Sequence, residues 1–60
     1  MDYKRARDIV GNKEIVDVFY NEQPVWIQEV NDNIAKIGYV NKNVTQDVYL
    51  EDLYESNLYN

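Results

Sequence analysis

At 60 residues the chain is long enough for one small domain, and such a domain buries roughly 60% of the surface that its unfolded chain exposes. It contains no cysteine, which excludes disulfides and thiolate metal sites, and no apolar run approaches the ~20 residues of a membrane span. A net charge of −5 repels nucleic-acid backbones and anionic membranes at long range, which argues against a general DNA coat. We therefore expect a single domain, residues 1–60, in a reducing compartment and without a membrane partner.

The first predicted element is a short helix over about residues 2–10. Asp2 can cap its first turn, and Gly11 stands where glycine often ends a helix. One face of this helix is apolar and consists of Tyr3, Ala6, Ile9 and Val10. Because so short a helix is not stable alone in water, we expect the apolar face to dock on a core.

A β-hairpin is predicted next, from alternating apolar segments at residues 15–20 and 25–30. With Tyr20 opposite Val25, one face collects Val16, Val18, Tyr20, Val25 and Ile27. The opposite face then carries Phe19 and Trp26. Because large apolar groups fall on both faces, we expect either a curled sheet or a partner over the second face, with Phe19 and Trp26 as the candidate partner surface.

The third predicted strand, over residues 34–40, follows a turn signal of three consecutive Asn and Asp residues. Such residues tolerate positive φ and bond their own backbone. A three-residue loop at this point sets Trp26 opposite Gly38, where the indole can cover the missing side chain. The same register sets Ile27 opposite Ile37.

The fourth predicted strand spans about residues 44–50, and the acidic segment after it predicts a C-terminal helical turn over about residues 51–55. Residues 56–60 are expected to form a frayed tail, although Leu58 and Tyr59 can pack if the turn extends. The predicted fold is mainly β (α+β). It is a four-stranded antiparallel meander, curled into a small, SH3-like, partly open barrel with the N-terminal helix as its plug.

The chain lacks the residue types of common catalytic sites. It has no histidine and no cysteine, and its one serine, Ser56, lies in the predicted tail. An acidic group near the C-terminus consists of Asp47, Glu51, Asp52 and Glu55. Its spacing does not resemble a calcium loop, so we interpret it as complementing a helix dipole rather than as a Mg²⁺ or Ca²⁺ site. We therefore expect no enzyme activity, no catalytic residue, no metal ion and no cofactor.

Half of the positive charge lies in the N-terminal segment, on Lys4, Arg5 and Arg7. These are the candidate nucleic-acid contacts, and exposed aromatic side chains would add a platform for stacked bases. The alternative is a solvated helix face on which Lys4 pairs with Asp8, four residues later. We favour the solvated face for the basic residues and packing for the aromatic ones.

A series of residues along the chain follows the pattern of a known family. The series comprises Met1-Asp2, Arg5-Ala6, Asp8-Ile9, Val18, Tyr20, Pro24-Val25-Trp26-Ile27 and Val30, and continues through Ala35, Ile37, Val48, Leu50, Leu53 and Glu55. On these residues the chain resembles the H-type small acid-soluble spore proteins. The resemblance implies a non-enzymatic protein, made in the forespore of an endospore-forming bacterium and held in the spore core, with a structural, storage or interaction role.

The resemblance has a departure in the hairpin. Relatives often carry glycine where this chain has Glu22, and since glutamate resists positive φ we expect a loop wider than the tightest hairpin turns. The alternative function is a nucleic-acid-associated module that uses the basic helix and exposed aromatics. A third is a homodimer or protein adaptor that covers Phe19 and Trp26. DNA protection is not implied, because the chain does not resemble the α/β-type spore proteins that coat DNA.

Overall fold

The computed structural model describes residues 1–12 and 14–56, so the predicted tail segment with Leu58 and Tyr59 lies outside the described residues. Its elements in chain order are helix α1 (Tyr3–Asn12), strands β1 (Val18–Tyr20), β2 (Gln23–Asn31), β3 (Ile34–Tyr39) and β4 (Thr45–Tyr49), a 3₁₀ turn (Leu50–Asp52) and strand β5 (Leu53–Glu55). The strands form one open antiparallel sheet in the order β4-β3-β2-β1-β5. The protein is therefore mainly β, with one short N-terminal helix.

Asp2 caps the start of α1, as predicted, by accepting a 2.7 Å hydrogen bond on its Oδ1 atom from the backbone N–H of Arg5. The predicted stop at Gly11 is wrong, because α1 continues to Asn12 and no described glycine has a positive φ. The backbone N–H of Glu14 instead donates to the carbonyl oxygen of Ile9 at 3.1 Å. That bond satisfies one of the last carbonyls of the helix without a left-handed glycine.

The first hairpin is tighter than predicted. Val18 pairs with Val25, two residues away from the predicted register, and Ile15 lies outside the strand and is fully exposed. The connection contains only Asn21 and Glu22, whose φ angles of 50° and 64° are those of a type I′ turn. The expectation of a wider loop at Glu22 is therefore wrong. Because the register moved by two residues, each side chain keeps its predicted face of the sheet.

The second hairpin has the predicted pairs: Trp26 lies opposite Gly38, and Ile27 lies opposite Ile37. The turn itself differs, because it contains two residues rather than three and begins with Asp32 at a φ of 51°. A register shift immediately after Ile27 restores the predicted alignment. A bulge in β2 thus replaces the extra loop residue that the sequence analysis assumed.

The helical turn predicted over about residues 51–55 is present at its beginning, but its predicted extent is wrong. Only Leu50–Asp52 forms a turn, of 3₁₀ type, and Leu53–Glu55 is a fifth strand that pairs with β1. Ser56, placed in the predicted tail, donates its backbone N–H to Asp17 O at 3.0 Å and prolongs this pairing. The sheet therefore has five strands rather than the four of the predicted meander, and its curling into an SH3-like barrel stays a prediction.

One side of the sheet, the inner face, packs against α1 and forms the core. The buried core residues are Ala6, Ile9, Val18, Val25, Ala35, Ile37, Val48, Leu50 and Leu53. The amino nitrogen of Met1 also reaches this region and donates to the carbonyl oxygens of Leu50 at 3.1 Å and Leu53 at 2.8 Å. The helix thus covers the inner face, while the opposite side, the outer face, is uncovered by any described element.

Candidate functional site

The two predicted partner residues, Phe19 and Trp26, both lie on the outer face. Phe19 is paired in register with Pro24 on β2 and with Tyr54 on β5, and Trp26 follows Pro24 by two residues. Residues that are opposite in register or two apart on a strand share a face. Trp26 is 48% exposed and Tyr54 is 46% exposed. We call Phe19, Trp26 and Tyr54 the aromatic surface.

Phe19 is held in place by a stacked neighbour. Its ring centroid lies 5.7 Å from that of Tyr54, with 23° between the ring planes, a separation within the range of favourable aromatic pairs. Tyr54 was not among the predicted partner residues, because its segment was predicted to form a helical turn. The available signal was weak: Leu53 and Tyr54 alternate buried and exposed in a strand of only three residues.

Trp26 is positioned by the glycine beneath it. A Cβ atom built on Gly38 would lie 2.5 Å from Cζ2 and 2.6 Å from Nε1 of the indole, far inside van der Waals contact. The indole therefore lies directly against the β3 backbone, as predicted, and leaves its other side exposed. An open cavity of about 430 Å³ adjoins it, and its lining includes the exposed side chains of Val40 and Val44.

A second cavity, of about 590 Å³, opens at the end of the sheet beside the aromatic surface. It is lined by Tyr20, Asn21, Glu22, Asp52 and Tyr54, and we call it the acidic notch. Pairing of β1 with β5 sets Tyr20 opposite Leu53 and so brings the first hairpin turn next to the 3₁₀ turn. Within the described residues neither Glu22 nor Asp52 forms an ion pair. No linear motif joins these two carboxylates, so sequence reasoning missed the notch.

The candidate nucleic-acid residues Lys4 and Arg7 lie exposed on α1. The predicted pair of Lys4 with Asp8 is confirmed, with 3.6 Å between Nζ and Oδ2. The guanidinium of Arg7 lies 5.6 Å from the centroid of the Tyr3 ring and donates to the Tyr3 hydroxyl at 2.9 Å. Both cations are thus in contact with side chains of their own helix.

Arg5, the third candidate, is engaged with two carboxylates. Its Nε and Nη2 atoms each donate to Glu55 at 2.8 Å, and its Nη1 atom donates to Glu14 at 3.0 and 3.1 Å. The bidentate bond from Arg5 holds the pKa of the Glu55 carboxyl below its ordinary value, while the bond to Glu55 raises the pKa of Arg5. Arg5 therefore joins α1 to β5, and the geometry does not favour a phosphate site on these three residues.

The acidic group considered for metal binding is divided among different surroundings. Glu55 bonds to Arg5, and Asp52 lines the acidic notch. Asp47 lies opposite Lys36 in the sheet. Among the residues that the structure describes, no three carboxylates are placed to hold a metal ion. A membrane-crossing helix is likewise absent from residues 1–12 and 14–56, since none there has the necessary length and apolarity.

Comparison with known proteins supplies the family. The sequence model of the small acid-soluble spore protein H family matches residues 1–55. The chain belongs to this family. The resemblance recorded from the sequence is thus confirmed, and it connects the chain with sporulation. The match ends at the last residue of β5, so it covers every described helix and strand.

Two curated relatives carry the same name, "Small, acid-soluble spore protein H". The protein from Acetivibrio thermocellus is 36% identical over 59 residues, which are 97% of this chain and 92% of the relative. The protein from Alkaliphilus metalliredigens is 36% identical over 58 residues, 92% of this chain and 98% of the relative. No solved structure matches the chain at a significant level.

Proposed function

We propose that this member of the H family is a non-enzymatic constituent of the spore core, made in the forespore, and that it works by binding a protein partner through its outer face. A structural or storage role is the broader form of the same proposal. Family membership supports the spore setting. The absence of histidine and cysteine from the sequence supports a role without nucleophilic catalysis.

The observation that carries the interaction role is the uncovered aromatic surface. Trp26 and Tyr54 remain about half exposed although the inner face has a closed core. The molecule measures 30 × 26 × 19 Å, so its broad face is comparable with the ~800 Å² that each partner buries in a standard interface. Aromatic residues are enriched in such interfaces and dominate their binding energy.

The nucleic-acid alternative gains no support from this geometry. Lys4 and Arg5 are paired with acids of the same chain, and the net charge is −5. Counterion release requires several cations free to approach phosphates.

The spore-core location is tested by fractionating cells and spores with an antibody against the protein. We expect the protein in the acid extract of decoated, broken spores and not in vegetative cells. Recovery only with the coat fraction, or equally from vegetative cells, would contradict the proposal.

The interaction role is tested by placing p-benzoylphenylalanine at Trp26 or, as a control, at Tyr3. Both positions are similarly exposed, at 48% and 43%, but Tyr3 lies on α1, which packs on the inner face. Irradiation of sporulating cells is expected to yield a cross-linked protein from position 26 and not from position 3. Equal cross-linking from both positions, or none from either, would exclude a specific outer-face partner.

A further inference from the structure

We infer that the acidic notch receives a lysine or arginine side chain from a basic segment of the partner, and that the residues beside that cation lie on the aromatic surface. The inference rests on the proposed interaction role and specifies the chemistry of the partner.

The lining of the notch offers two kinds of attraction to an organic cation. Glu22 and Asp52 supply carboxylate oxygens, which are the strongest acceptors for ammonium and guanidinium donors. Tyr54 on the outer face adds an aromatic ring, and ring faces attract cations, whereas Tyr20 lies on the inner face and packs against the core. At about 590 Å³ the cavity falls within the range of ligand-sized sites and has room for a long cationic side chain.

Charge complementarity favours a basic partner over a second copy of the chain. Lys36 lies between Glu29 and Asp47 in register, and Lys42 lines the cavity beside Trp26, so neither lysine belongs to the lining of the notch. The chain as a whole carries a charge of −5, which steers basic segments toward it and repels another copy. Glu22 and Asp52 have no cationic partner among the described residues.

The notch and the aromatic surface form one continuous site because Tyr54 belongs to both. Tyr54 is part of the lining of the notch, and its ring stacks on that of Phe19. Tyr54, Phe19 and Pro24 lie on three adjacent strands, and neighbouring strands are about 4.8 Å apart. An extended segment anchored in the notch therefore needs only about four residues to cross β5, β1 and β2 toward Trp26.

The experiment measures fluorescence anisotropy of a fluorescein-labelled octapeptide of alternating arginine and glycine, titrated with the full chain. Glu22→Gln/Asp52→Asn removes both notch carboxylates. The control, Glu51→Gln/Asp32→Asn, removes two exposed carboxylates outside the notch and changes the net charge equally. We expect the notch variant to lose about tenfold or more in affinity at 150 mM salt and the control to lose less than about twofold. Circular dichroism melts verify that both variants are folded.

An equal loss of peptide affinity in both variants would show that the peptide is attracted by the overall negative charge and not by the notch, and would overturn the inference. So would tighter binding of single-stranded DNA than of the arginine peptide, or a dimer by light scattering that blocks the peptide. Replacing Tyr54 by leucine is expected to weaken peptide binding several-fold through loss of the ring. If position 26 cross-links a partner while the notch variant binds the arginine peptide as tightly as the unchanged protein does, the proposed interaction role stands and the basic partner is excluded.

Discussion

The contact between Trp26 and Gly38 can be tested by adding one methyl group. In Gly38→Ala the new Cβ would overlap the indole, at 2.6 Å from its Nε1 atom. Either the indole must move away from the backbone of β3, or β3 itself must shift. Overpacking of this kind costs about 1 to 3 kcal/mol of unfolding free energy. In a protein that already carries Trp26→Ala, the indole is absent and the overlap is removed. Adding Gly38→Ala to that protein should then raise the free energy of unfolding by about 0.5 to 1 kcal/mol, because alanine is more favourable than glycine in a strand.

The assay is a double-mutant cycle measured by urea unfolding and far-UV circular dichroism. Trp26 is 48% exposed, so Trp26→Ala should itself cost about 2 to 3 kcal/mol for the buried half of the indole. A domain of 60 residues has a free energy of unfolding of about 3 to 9 kcal/mol, so all the proteins of the cycle are titrated at the same concentration of a stabilising osmolyte, which keeps each of them folded without urea. We expect a coupling energy of about 2 kcal/mol. A coupling below about 0.5 kcal/mol would show that the indole does not lie on Gly38 in solution and refute the reasoning.

Three further predictions concern the turn, the core and the ion pair. Glu22→Gly should raise the unfolding free energy by about 0.5 to 1 kcal/mol in urea titrations, because glycine adopts positive φ without strain; a loss would contradict the observed turn. Ile37→Val should lower the free energy of unfolding by about 0.5 to 1.5 kcal/mol, because Ile37 is fully buried. Ile15→Val should leave it almost unchanged, because Ile15 is fully exposed. Equal losses in the two variants would contradict the core assignment. Since Arg5 lowers the pKa of Glu55 below its ordinary 4.5, the stabilisation is complete above about pH 4.5 and is lost as pH falls through the lowered value. The difference between melts of Glu55→Gln and the unchanged protein should therefore shrink steadily as pH falls below about 4.5, and a constant difference would exclude this linkage.

Alternation of apolar residues was sufficient to predict which side chains share a face. Phe19 and Trp26 lie on the outer face, as the period of two required, even though the predicted register of the first hairpin was wrong by two residues. The pair of Trp26 with Gly38 could be predicted because a large ring and a bare backbone complement each other. Patterning therefore placed Phe19 and Trp26 on one face without the correct turn, whereas Tyr54 was not predicted.

The features that the sequence did not reveal depend on contacts distant along the chain. Strand Leu53–Glu55 has only three residues and exists because it pairs with the edge of β1. Its local sequence pattern alone could not be distinguished from that of a helical turn. Arg5 was predicted to be solvated, but folding brings Glu14 and Glu55 to it. The acidic notch likewise exists only because β5 pairs with β1.

Glu22 is the position where local preference and the observed structure disagree most clearly. Its backbone has a φ of 64°, which glycine adopts at no cost and glutamate adopts under strain. The same residue places a carboxylate in the acidic notch. Glycine at this position would relieve the strain and remove the charge, whereas glutamine would keep the strain and remove only the charge. If both variants lose peptide affinity equally while only the glycine variant gains stability, the carboxylate of Glu22 accounts for binding. Glu22 then lowers the stability of the turn and at the same time supplies a contact with the partner.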